Sequence, residues 1–201
     1  VENKIKPGVR ESEIAAELDC LIRKTEAENT FPTIVASGKN AGIPHHITSK
    51  KKIRKGELLL IDFGARHQLY GSDISRTYSI GKPSGRQKQL YSLVYRALQA
   101  SLKEVLLGYK AQESFQVADA VLKEGGFKMR HALGHGLGLR DHDFPGGIGL
   151  KSKWLFKENM CLAIEPAIYT DSFGIRIEDN LVIKKSRPLM LSQAPKELIS
   201  L

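Results

Sequence analysis

Residues 58–80, LLLIDFGARHQLYGSDISRTYSI, constrain this chain more than any other stretch. Residues 58–63 are almost continuously apolar, and residues 73–80 alternate polar with apolar or aromatic side chains. These patterns predict two β-strands joined by a short turn. Each strand carries an aspartate in a costly place. Asp62 follows four apolar residues, and Asp73 comes eleven residues later. A buried carboxylate without a partner is strongly disfavoured. A hairpin brings the two together, and two like charges so placed call for a cation between them.

Upstream, residues 8–27 predict a helix with Ile14, Leu18, Leu21 and Ile22 on one face and Glu11 and Glu13 near its positive N-terminal end. A short strand is expected over residues 33–37, then a polar loop containing Pro44-His45-His46. Downstream, Ser84 is a fitting N-cap for a helix with Leu90, Leu93, Val94, Ala97, Leu98, Leu102, Val105 and Leu106 on one stripe. Residues 113–124 predict another helix, stopped by Gly125-Gly126. Residues 131–145 form a loop rich in glycine and histidine, followed by strands over residues 160–170 and 174–184.

The last two strands echo the first two. Glu165 follows an apolar run in CLAIE, and Glu178 comes thirteen residues later in IRIEDN. Each half thus has helices followed by a strand pair bearing two carboxylates. The expected fold class is α+β, with two pseudo-symmetric halves packed face to face and the four acids at the seam. Four carboxylates and a histidine suit a pair of divalent ions, with Mn²⁺ ahead of Co²⁺ or Zn²⁺ because the donors are rich in oxygen. A water held between two such ions becomes a nucleophile near neutral pH. The alternative reading of GHGLGL as a phosphate cradle lacks the strand–loop–helix frame that chemistry needs.

Composition narrows the class further. The chain has 201 residues, 41% apolar and 26% charged, with no linker or low-complexity segment. One domain over residues 1–201 is expected, with a core of ordinary size. No apolar run approaches a membrane span and no signal peptide is visible. Cys20 and Cys161 lack CxxC spacing and read as small core residues of a reducing compartment, so a cytoplasmic location is expected. The net charge is +9, and its densest run, residues 50–55, has no interleaved aromatics. It reads as a solvated basic turn; neither nucleic acid nor membrane is an expected partner.

The ordered set IDFG, GSDISRT, HALGHGLGL with His142 beyond it, AIEPAIY and GIRIEDNLVI resembles the pita-bread metallopeptidases, in particular their Xaa-Pro aminopeptidase and prolidase branch. The likeness runs from the KPG helix start to the closing QAPKELI. It implies a pita-bread fold and a five-ligand metal set, Asp62, Asp73, His135, Glu165 and Glu178. In that set Asp62 chelates one ion, His135 and Glu165 hold the other, and Asp73 and Glu178 bridge them. It further implies that His45 steadies the scissile carbonyl, that His142 contacts substrate near the reacting centre, and that His131 lines the leaving-group side. Arg176 lies beside the bridging glutamate and contributes to substrate binding, Glu165 shuttles the proton, and Thr77 supports the bridging aspartate. His46 takes the place of His45 if the loop register shifts by one.

Two departures accompany the likeness. Arg10 stands where the family has an N-capping threonine. The N-terminal domain of longer relatives has no counterpart in residues 1–201, and the opening Val-Glu-Asn-Lys, without an initiator Met, leaves open whether residues precede Val1. The implied activity is hydrolysis of the bond between an N-terminal residue and proline, on peptides with proline in the second position, and a homodimer is the assembly compatible with it. A methionine aminopeptidase shares fold and ligands, but the arginine two residues before Glu178 favours the Xaa-Pro branch. A creatinase-like hydrolase or a non-catalytic binding protein of the same fold fits a lost ligand set rather than this intact one. Dipeptidase and aminopeptidase share every motif quoted.

Overall fold

The structure is a computed structural model that describes residues 1–201. Ile14, Leu18 and Ile22 recur every fourth residue, and helix α1 (Glu11–Lys24) buries all three with Ala15. They pack on Val35, Leu59 and Ile61 of the sheet beneath. Leu21 does not share that face; it is exposed, as is Cys20. Arg10 occupies the N-cap but its side chain has no acceptor to offer. The Glu13 carboxylate instead reaches back and accepts the Arg10 N–H at 2.7 Å, so half of a capping box forms.

The first half continues through β1 (Glu28–Asn29), β2 (Ile34–Ser37), β3 (Leu58–Phe63), β4 (Ala65–His67), β5 (Tyr70–Gly71) and β6 (Ile74–Ser79). Strands β2, β3 and β6 form an antiparallel sheet with β3 central. Both edges of β3 are therefore paired, and its residues from Leu58 to Asp62 are buried on both faces. The segment between β3 and β6 is more than a turn. It builds a second hairpin, β4–β5, which pairs with β1 in a small separate sheet.

The second half contains α2 (Gly85–Glu104), α3 (Ala111–Glu124), β7 (Gly134–Gly136), β8 (Asp143–Gly147), β9 (Cys161–Ile164), β10 (Ala167–Tyr169), β11 (Gly174–Arg176), β12 (Asp179–Val182) and β13 (Leu189–Met190). Ser84 caps α2: its hydroxyl accepts the Gln87 N–H at 3.2 Å, and Gln87 accepts the Ser84 N–H at 2.7 Å. The stripe on α2 packs with Phe115 and Leu122 of α3 and with Leu162, Ile164 and Leu181 of the sheet. That sheet runs β13-β12-β9-β7-β8. Each strand expected late in the chain is broken in two, at Glu165-Pro166 and at Ile177-Glu178, and β10 pairs with β11 apart from the large sheet.

The glycine- and histidine-rich stretch also forms strands, where the sequence pattern predicts a loop. Its glycines allow close backbone approach. A Cβ on Gly134 would lie 1.9 Å from the carbonyl oxygen of Ala163. Gly134→Ala is therefore expected to push β7 from β9 and destabilise the fold by about 1–3 kcal/mol, the usual cost of overpacking. A denaturant melt unchanged from wild type would contradict that geometry.

The basic run differs from a fully solvated turn. Lys51 is only 18% exposed in its side chain, pairs with Glu57 at 2.7 Å and donates to the Ser37 hydroxyl at 2.7 Å. The last residues run beside β6, where the Leu201 N–H donates to the Ser79 carbonyl at 2.8 Å. No helix is long and apolar enough to cross a membrane.

Candidate metal centre

Register places the acids. In the β3–β6 pair Asp62 faces Ser75, and Asp73 stands two residues before Ser75, so all three share a face. In the second half Asp179 pairs with Ile164, which sets Glu178 and Glu165 opposite each other where β12 begins and β9 ends. His135 pairs with Ala163, two residues before Glu165 and on the same face.

The halves meet through these residues. The Ser75 hydroxyl donates to Glu178 Oε2 at 2.7 Å, and the Glu178 N–H donates to the Ser75 carbonyl at 3.2 Å. Asn180 clamps the Asp73 peptide from the other half: its Oδ1 accepts the Asp73 N–H at 3.0 Å, and its Nδ2 donates to the Asp73 carbonyl at 2.6 Å. Thr77 joins the main chain of Arg176, accepting its N–H at 3.1 Å and donating to its carbonyl at 3.0 Å. It supports the Arg176 strand rather than Asp73 directly.

Asp73, His135 and Glu178 are buried, and one ligand atom from each lies within 4.8 Å of the others. His135 Nε2 is 3.4 Å from Asp73 Oδ2 and 3.8 Å from Glu165 Oε1. Asp62 is engaged by the Arg176 guanidinium, whose Nε also donates to Ser75 Oγ at 2.8 Å. Arg176 Nη1 reaches Tyr169 Oη at 2.8 Å, and Tyr169 meets His131 Nε2 at 2.9 Å. His142 stacks on His135 with ring centroids 3.8 Å apart. Asp62, Asp73, His135, Glu165 and Glu178 line one cavity of about 840 Å³ with His45, His131, His142 and Arg176, whereas Thr77 lies outside it.

One arginine cannot neutralise this many acids. Burial, and then the charges of Asp62 and Glu165, push Asp73 up to about 9. Burial likewise raises Asp62, and burial with Asp73 and Glu165 raises Glu178 well above the carboxylate range. Partial burial, and then His135, lower His142. Asp62 Oδ1 and Glu178 Oε1 are buried with no hydrogen-bond partner. Leaving such lone pairs unmet costs about 1–3 kcal/mol each, and a divalent cation would satisfy them and the crowded charge together. The donor set therefore fits a metal.

Four residues escape the sequence reading: Ser75, Arg76, Tyr169 and Asn180. Arg76 is buried, pairs with Asp179 at 2.7 Å and donates to the main chain of Ser75, Glu178, Ala194 and Pro195. The one signal available was polarity inside apolar strands, as in the ISRT and IEDN runs.

The architecture and its buried acid–histidine cluster define the class: a pita-bread metallopeptidase. The family model of metallopeptidase family M24 matches residues 1–185. The chain belongs to metallopeptidase family M24. It is 36% identical over 200 residues to the Xaa-Pro dipeptidase of Pyrococcus horikoshii, covering 98% of this chain and 57% of that protein. Its fold matches the X-Pro aminopeptidase of Thermotoga maritima with a TM-score of 0.95, at 36% identity over 99% of this chain and 57% of that one. The prolidase of Pyrococcus furiosus superposes with a TM-score of 0.93 at 36% identity, over 96% of this chain and 58% of that one. The chain thus spans a little over half the length of these relatives.

Proposed function

We propose that residues 1–201 form a single catalytic domain that hydrolyses the bond between an N-terminal residue and proline. The observation that carries this is the clustering of Asp73, His135 and Glu178 within 4.8 Å, beside two orphaned carboxylate oxygens, in a cavity large enough for a peptide. Names of relatives supply the Xaa-Pro preference: similar proteins are called Xaa-Pro dipeptidase, prolidase and X-Pro aminopeptidase.

Asp62, Asp73, His135, Glu165 and Glu178 would hold two divalent ions, with Mn²⁺ the first candidate for so oxygen-rich a set. When bound, such ions acidify water and polarise a carbonyl. Glu165 is the acid least enclosed by its neighbours, with a side chain 16% exposed, and its carboxylate is placed to take a proton and pass it to the departing prolyl nitrogen. His45 faces the cavity and donates to the carbonyl oxygen as charge builds there. His46 also lines the cavity, but its Nε2 is engaged by Glu11 at 3.2 Å, which supports giving the oxyanion role to His45. His142 contacts substrate near the reacting carbonyl. His131, held by Tyr169, lines the leaving-group side, and Arg176 fixes Asp62 and the wall beside it.

The test is cleavage by the Mn²⁺-loaded full-length protein of three peptides: an Xaa-Pro dipeptide, an Xaa-Pro-Xaa tripeptide and a Met-Ala-Xaa tripeptide. Cutting either proline peptide is the expected result, with the tripeptide marking an aminopeptidase and the dipeptide alone a dipeptidase. Cutting only the Met peptide overturns the proline assignment. Bound metal without turnover of any peptide overturns the enzymatic one.

A further inference from the structure

Glu11 lies in the first turn of α1, and none of its side chain is exposed. A buried acid that belongs to no ion cluster needs an account. Its partners give one. Oε1 accepts from the Ser37 N–H at 2.7 Å, the Ser37 hydroxyl at 2.8 Å and Asn40 Nδ2 at 3.0 Å. Oε2 accepts from the Ser49 hydroxyl at 2.6 Å, Asn40 Nδ2 at 3.1 Å and His46 Nε2 at 3.2 Å. These donors come from β2, from the 3-10 turn after it and from the loop over residues 43–49.

That loop has no regular structure of its own and carries His45, which is exposed toward the cavity. It is held on both sides of His45. The carbonyl of Pro44 accepts from Arg176 Nη1 at 3.2 Å, and the ring of His46 is fixed by Glu11. One anchor comes from β11 of the second half and the other from α1 of the first. Two tethers on the residues flanking His45 restrict the backbone from which its side chain leaves.

We infer that Glu11 is a positioning residue for catalysis: through His46, Asn40 and Ser49 it sets the 43–49 loop and so presents His45 to the substrate carbonyl. The catalytic half of this inference rests on the proposed Xaa-Pro peptidase activity; the anchoring half does not. Glu11→Gln separates them. The amide keeps an oxygen for Ser37 and Asn40 but removes the charge and the second acceptor, so Ser49 and His46 keep contact only by reversing to accept, and the anchor on the loop weakens while size is preserved.

Amide hydrogen exchange in the metal-loaded full-length protein reads the anchor. Exchange over residues 43–49 is expected to accelerate in Glu11→Gln while β3 and β6 keep wild-type protection. Unchanged exchange in the loop overturns the inference whether or not the protein cuts peptides. Kinetics then read the consequence on an Xaa-Pro peptide. We expect kcat to fall about 10–100-fold, the scale of small misplacements, with metal content unchanged. In a His45→Ala background the same substitution should change kcat less than about twofold, since the group it positions is gone. An equal fold-loss in both backgrounds overturns the positioning role and leaves Glu11 merely structural. A wild-type protein that cuts no proline peptide fails the functional proposal, and the exchange result still decides the anchor.

Discussion

Glu178→Gln is expected to abolish peptidase activity and lower metal affinity by more than the roughly 10–100-fold that outer-shell changes cost. Glu178 is 1% exposed, and its Oε2 already accepts the Ser75 hydroxyl, so the amide keeps its place at the seam of the halves. What the substitution removes is charge. Asp73 and His135 lose the third member of their cluster, while Oε1, the buried atom without a partner, becomes part of a neutral group. The same change should leave the metal-free protein at least as stable as wild type near neutral pH, because it deletes a carboxylate that burial and its acidic neighbours disfavour. Metal titration by calorimetry, paired with thermal melts of the chelated protein, checks both signs. A metal-replete, fully active Glu178→Gln protein would falsify the metal assignment.

Chelation should make stability fall as pH rises, the reverse of ordinary acid denaturation. Asp73 titrates near 3.9 in an unfolded chain and is pushed up to about 9 in the metal-free fold, by burial first and then by Asp62 and Glu165. Between those values the folded state holds a proton that the unfolded state has released. Stability from this group is complete below about pH 4 and drains away as pH climbs toward 9, with a slope of about 1.4 kcal/mol per pH unit for each retained proton. Asp62 and Glu178 shift in the same direction. Glu11 and Asp119 shift the other way despite burial, lowered by their hydrogen-bond donors, so their contribution is lost as pH falls. Melting the protein in chelator at pH 6 and pH 8.5 should give the lower midpoint at pH 8.5. Metal should raise that midpoint most at pH 8.5, where fewer protons compete for the oxygens. In Asp73→Asn the chelated protein should lose much of its pH slope. A chelated wild-type protein that is more stable at pH 8.5 than at pH 6 would show that these carboxylates are not enclosed together.

The residues of the site were legible because their patterns are local. An aspartate after four apolar residues, repeated as a glutamate after CLAI, marks carboxylates forced into strands, and the register then aligns them. The stretch around His135 was harder to read. Its strands are made of glycines, chosen for backbone approach to Ala163 and Phe144, so no side-chain alternation advertises them. The Glu165-Pro166 break was hidden for a similar reason: apolar residues continue across it although the pairing partner changes from β12 to β11. Leu21 was misplaced because it lies at the edge of the α1 apolar stripe, where a small rotation exposes a side chain, and Cys20 because it stands two residues after Leu18, on the opposite, solvent-facing side of the helix. Asn180, Arg76 and Glu11 were invisible as functional residues. Each joins segments far apart in the chain, with contacts that span 26 positions for Glu11–Ser37, 107 for Asn180–Asp73 and 119 for Arg76–Pro195, and nothing in a linear pattern marks such a partner.

The clamp between Asp73 and Asn180 joins residues 107 positions apart. While the chain is being synthesised, the first sheet and α1 emerge early and can pair without waiting for the rest, since β2, β3 and β6 are near neighbours in sequence. Asp62 and Asp73 then stand on a formed hairpin with neither Glu178 nor Arg176 yet made. Until residues 174–180 are made, the nascent chain therefore carries an acidic half-site that lacks its second wall. A half-site of two carboxylates is a weak and unselective trap for whatever cation is abundant. With the proposed ligand set, selectivity arises only when residues 174–180 dock and His135, Glu165 and Glu178 close over it, so the choice of ion follows the docking of the two halves.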